Sequence, residues 1–216
     1  MEIAAWLERF FPRIEPIPWG DPCWLAMTKT RSPEHNPPLY WLGRALDAVD
    51  EGGDAEAMGA RLLAAHGAEA CDGWSEQDQR VQDVLTEACA YAWAASHLGA
   101  PSFEPSEADG TMLIHVPARD AFVAPHRLWP VRTMDDLLRN VARDTSATAE
   151  ATPPAAGRIV YFDVYLNPRM YAQDIGYHTD LTEPLRAAVK HFATERNLGY
   201  VLTRPFQWGN PIAAHY

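Results

Sequence analysis

The spacing of apolar side chains divides the chain into a helical first part and a second part in which strands and helices alternate. Ile3, Leu7 and Phe10 recur at helical intervals over 2–11, and Pro12 ends that run. PRIEPIPWGDPC is too rich in proline for anything but an extended wrapping segment. Trp24–Thr30 reads as a short strand and SPEHNPP as a loop. Pro37 and Pro38 open a helix over 39–49 with Leu39, Leu42, Leu46 and Val49 on one stripe, stopped by Gly52 and Gly53. A second helix, Asp54 to His66, turns Met58, Leu62 and Leu63 inward and ends at Gly67, which makes a helical hairpin. The longest helix runs from Ser75 to Leu98. Ser75 and Asp78 resemble a capping box, and Val81, Val84, Leu85, Ala88, Ala92, Ala95 and Leu98 form its inward stripe.

From Pro101 the period changes. PSFEPSE and TMLIHV around the turn signal Asp109-Gly110 predict a hairpin. Ala121–Leu128 is a third strand in which Pro125 implies an edge or a bulge. Thr133 and Asp136 start a helix over 134–143 whose apolar face is Met134, Leu137, Leu138 and Val141. DTSATAEATPPAAG follows; its Ala, Thr and Pro content predicts a mobile surface loop. Arg158–Asn167, RIVYFDVYLN, is the longest β-type run, with Val160, Phe162, Val164 and Leu166 on one face. Its other face carries Ile159, Tyr161, Asp163 and Tyr165, a carboxylate between two tyrosines, and predicts a part-buried surface. After the irregular NPRMYAQDIGYHTDLT, Thr182 caps a helix to Asn197, with Leu185, Ala188, Val189 and Phe192 inward. Tyr200–Thr203 is the last strand and RPFQWGNPIAAHY a wrapping arm.

This order predicts an α/β fold with an α+β tendency: a mixed sheet of about five strands with helices on both faces. A helical hairpin and wrapping segment over 1–74 would precede the sheet core of 75–216, together in one compact unit. With 216 residues and 47% hydrophobic content, a single core is within reach.

Charge narrows the partners. A net charge of −11 works against attraction to phosphate backbones and anionic membranes and favours a basic protein surface. Three dispersed cysteines, Cys23, Cys71 and Cys89, form no CxxC and read as reduced core residues of a cytoplasmic protein. The N-terminus lacks the basic and long apolar regions of a signal peptide, and no window is apolar enough to span a membrane. The eight tryptophans pin long connections to the core or, on the sharper reading, anchor a partner.

From Ser75 the order helix, three strands, helix, strand, helix, strand resembles the core of the PD-(D/E)XK nuclease-like superfamily, over about 75–205. TEACAYAWAASHLGAP resembles that group's first core helix, with Glu87 as its acidic residue. Asp109 falls near the family's first metal-binding Asp, and GRIVYFDV resembles the strand after the second helix. FVAPHRL occupies the place of the family's Glu-x-Lys strand, but Ala124 stands for the Glu and His126 for the Lys. Alanine cannot hold Mg²⁺ and leaves water unactivated, so the resemblance implies a degenerate or rebuilt site.

Other chemistry is sparse. Asp174-Ile-Gly-Tyr-His178-Thr-Asp180 holds an HxD pair whose side chains share one direction if the backbone is extended, and Asp163 could complete a metal site. Alternatively, Asp180 and Thr182 end the loop and cap the next helix. His115 and His126 lie on neighbouring strands and with Asp109 or Asp163 make a candidate catalytic set, against the simpler reading of core-bonded histidines. Arg119, Arg127, Arg132, Arg139, Arg143 and Arg158 form one basic patch or, on the plainer reading, solvated charges. GxSxG, GxGxxG and GxxxxGK[ST] are absent from the sequence. Two functional classes stand. One is a cytoplasmic non-catalytic binding or regulatory module, on a degenerate nuclease-like scaffold, engaging a basic protein. The other is a metal-dependent hydrolase or nuclease with a rebuilt His/Asp site.

Overall fold

The computed structural model describes Ala5, Arg9 and residues 37–66, 76–106, 112–128, 133–164, 179–204 and 207–216. Ala5 and Arg9 are helical; the proline-rich segment and the Trp24–Thr30 strand reading lie outside the described residues.

Three helices come first: α1 (Pro37–Glu51), α2 (Ala55–His66) and α3 (Glu76–His97). Gly53 closes α1 at φ +87°, a left-handed conformation that glycine adopts without steric cost. Beside it, Gly52 leaves space for the Tyr91 hydroxyl of α3, which a Cβ there would overlap. That hydroxyl bonds the Asp54 carboxylate (3.0 Å) and the Pro101 carbonyl (3.1 Å), tying the hairpin turn to the end of α3. The predicted inward residues Leu42, Leu46, Val49, Met58 and Leu62 share one apolar cluster with α3 and with Ile114, Val123, Ile159, Tyr161 and Val201 of the sheet. Leu63 is instead 46% exposed. Because α3 has the hairpin on one side and the sheet on the other, Ala88 to Ala94 are buried all round, not along one stripe. Ala95, expected inward, lies past that stretch and is exposed.

The strands are β1 (Ser102–Pro105), β2 (Met112–Val116), β3 (Ala121–Leu128), β4 (Gly157–Val164), β5 (Gly199–Thr203) and β6 (Ala213–His215). They lie in the order β1-β2-β3-β4-β5-β6, one strand more than the sequence predicts. The additional strand comes from the tail: β6 pairs antiparallel with β5, and Trp208 donates its indole N–H to the Trp41 carbonyl of α1 at 2.9 Å. β3, β4 and β5 run parallel, whereas β1–β2 and β2–β3 are antiparallel, so the sheet is mixed. β3 is a central strand despite Pro125, because its pairing with β2 stops at Val123. Among the described residues, β3 beyond Val123 is in register with β4 alone, from Ala124 opposite Val160 to Leu128 opposite Val164.

Helix α4 (Met134–Ala151) and helix α5 (Thr179–Glu195) cover the other face. Val160, Phe162, Val164 and Leu202 meet Leu137, Val141, Leu185 and Val189 there, so the apolar face read from RIVYFDV is covered by helices. The expected surface loop from Asp144 is overturned, since α4 continues to Ala151 and buries Asp144, Thr145 and Thr148. Its hydroxyls return to carbonyls one turn earlier, Thr145 to Val141 (2.9 Å), Ser146 to Ala142 (3.0 Å) and Thr148 to Asp144 (2.9 Å). Small side chains with satisfied hydroxyls thus continue the helix against the sheet until Pro153.

Candidate functional site

Parallel register sets three polar residues in one row near the carboxyl ends of the strands: Arg127 opposite Asp163, and Asp163 opposite Thr203. Ligands of open α/β sheets gather at this end of the strands. Here α3 lies over the row. Asp163 accepts from the Arg127 guanidinium at 3.0 Å and from the Thr86 hydroxyl of α3 at 3.2 Å, and both charged side chains are 0% exposed. Thr203 reaches the Tyr161 hydroxyl and the Phe162 carbonyl, each at 3.2 Å. Burial raises the Cys89 thiol and the Tyr161 phenol, with the Asp163 charge acting in the same direction on both. One turn before Thr86, Gln82 is buried with neither amide atom hydrogen-bonded.

The face of β4 expected to be part-buried is therefore sealed, and its carboxylate is held by a guanidinium. A cation placed at Asp163 would meet the Arg127 charge. Of the proposed metal set, Asp180 lies in the first turn of α5, and His178 is outside the described residues. Among the described residues, no three His, Cys, Asp or Glu are grouped to share a metal ion.

His115 and His126 both point to the α4 side, but they do not meet. His115 is opposite Phe122, and His126 lies four residues further along β3, a separation of about 13 Å at strand rise. His115 stacks on Phe122 (4.4 Å between centroids) and its Nδ1 is 3.0 Å from Glu104. His126 Nε2 is 2.9 Å from the Thr148 hydroxyl. Asp109 is outside the described residues. The positions compared with the nuclease family's Glu and Lys, Ala124 and His126, face α4, whereas the face towards α3 presents Pro125 and Arg127. Glu87 points away from the sheet into a two-point pair with Arg61 of α2, at 2.9 and 2.5 Å.

The arginines do not make one patch. Arg127 is buried, whereas Arg139 and Arg143 are largely exposed and paired with Asp136 and Asp144. Arg119 and Arg158 line a separate cavity, and Arg132 is outside the described residues.

An open cleft of about 520 Å³ lies between the β1–β2 hairpin and the end of α4. Its floor is Leu113 and Phe122, prolines 105, 153 and 154 make its sides, and Glu104 and Glu150 stand in its lining. Glu104 is half-exposed and Glu150 exposed; no Lys, Arg or His lines the cleft among the described residues. Ser106 fastens its two sides by donating to the Ala151 carbonyl at 3.1 Å. The sequence concealed this site because half of it lies in the stretch read as a loop.

Comparison of the chain with protein-family models, with curated proteins and with solved structures finds no match. Among the described residues, no helix is long and apolar enough to cross a membrane.

Proposed function

We propose that this chain is a non-catalytic protein-binding module whose partner presents basic side chains to the cleft between β1–β2 and α4. The observation that carries this reading is the lining: two glutamates above an apolar and proline floor, with no Lys, Arg or His in the lining among the described residues, although Glu104 already lies 3.0 Å from His115. A lysine or arginine can lay its aliphatic stem along Phe122 and the prolines while its charged head meets Glu104 and Glu150. The net charge of −11 adds a long-range attraction for such a partner. The order α3, three strands, α4, strand agrees with the nuclease-like scaffold that the resemblance implies. Arg127 against Asp163 supports a scaffold without that family's catalysis. Three dispersed cysteines without a CxxC, with Cys89 buried in the core, fit a reducing, cytoplasmic setting.

The test is titration of an arginine-rich peptide, followed by calorimetry at low and physiological salt. Binding that weakens with salt is expected, with roughly a tenfold loss in the double variant Glu104→Lys, Glu150→Lys. The same change of charge at Asp135 and Glu183, both exposed, should cost much less. Equal losses in the two double variants, or no binding, would refute the reading.

A further inference from the structure

A second cavity, of about 480 Å³, opens where the parallel strands begin. Its lining includes the first residues of three neighbouring strands, Ala121, Gly157 and Gly199, and the ends of α3 and β6. Four basic side chains line it, His97, Arg119, Arg158 and His215, and no carboxylate side chain does among the described residues. That inverts the balance of a protein with 29 acidic and 18 basic residues.

The arginines differ here in a second way. Arg61, Arg127, Arg139, Arg143, Arg186 and Arg196 are each in an ion pair. Among the described residues, Arg119 and Arg158 are in none, which they share with Arg80 and Arg204 outside this cavity. Arg158 is nevertheless held in place: its NH2 donates to the Arg196 carbonyl at 2.9 Å and the Asn197 carbonyl at 3.5 Å, and its NH1 to the Ala149 carbonyl at 3.4 Å. Those carbonyls belong to the ends of α4 and α5, so the guanidinium offsets the negative ends of two helices that would otherwise repel an anion. Its Nε–H and one NH1 hydrogen are left over for a ligand. His97 is fixed by stacking on Trp93 (5.3 Å) and by Nδ1 at 2.9 Å from the Trp93 carbonyl. Tyr216 packs edge-on against Trp93 and forms an aromatic wall.

From this geometry we infer an oxyanion site: the cavity binds a small ligand through its phosphate or carboxylate group, with Arg119 and Arg158 as the principal contacts. The volume lies within the usual range for small-molecule sites, which leaves space for a body beyond the anionic group. This inference is independent of the acid-lined cleft, whose charge is opposite and whose lining shares no residue with this cavity.

Amide NMR of the full chain, titrated separately with inorganic phosphate and with acetate, tests it. The expected result is saturable shifts concentrated at Gly157, Arg158, Gly199 and His215 with at least one probe, the stronger probe identifying the preferred oxyanion. Arg119→Ala, at an exposed side chain, should weaken that binding about tenfold, and Arg139→Ala on α4 should leave it unchanged. Shifts that do not saturate, or that fall equally in both variants, would overturn the site. Shifts produced only by a short DNA oligonucleotide and spread over the wider surface would also overturn a small-ligand site.

Discussion

At the scale of single residues, Arg127 and Asp163 carry the largest consequence. An ion pair with both side chains 0% exposed contributes little net stability, because the cost of removing the charges from water offsets their attraction. Removing one partner is another matter. Asp163→Ala would leave a buried guanidinium and should lower unfolding free energy by about 3–5 kcal/mol in chemical denaturation. The double variant Arg127→Met, Asp163→Ala should recover most of that loss, since it removes both charges and leaves no buried ion unpaired. Additive losses in the double variant would contradict this account. The sequence placed Asp163 on the correct face of its strand and put Arg127 among scattered surface charges. The pairing was hidden because 36 residues separate the two positions, and only parallel register brings them opposite each other.

At the scale of elements, α4 shows where composition misleads. DTSATAEA is poor in large apolar residues, yet Thr145 and Thr148 face inward and bond to their own helix. Helices with such hydroxyls pack closely on a sheet, so a low-complexity reading understates them. Ala147→Pro separates the two readings. Within a helix it should cost roughly 3 kcal/mol of stability and lower helical circular dichroism, whereas in a surface loop it would be nearly neutral. The cleft between α4 and the β1–β2 hairpin depends on this extension, since Glu150 and Ala151 belong to it. β3 gives the converse lesson. Pro125 was read as marking an edge strand or a bulge, but β3 lies inside the sheet, and its register with β2 ends at Val123, before the proline.

For the whole molecule, the helical hairpin and the sheet share one core through α3, and Glu87 is part of that junction. Burial pushes its carboxyl up to about 7, with Arg61 pulling the other way. The folded chain therefore keeps a proton that the unfolded chain has released above about 4.5. Stability should fall as pH rises from about 4.5 to about 7 and level off above that. In Glu87→Gln that fall should be much reduced, as read from denaturation midpoints across the pH series. An unchanged slope in the variant would show that another group governs the window.

Hydrophobic spacing by itself determined most of the helices, the strand set from Ser102 to Thr203 and the two faces of β4, because local period reports which side of an element must leave water. It determined the α/β class for the same reason. The tail strand, the extension of α4, the sealed Arg127–Asp163 row and both cavities were decided only by tertiary structure. Each depends on residues far apart in the chain meeting across a strand register or a helix–sheet contact, and no local pattern records such a meeting.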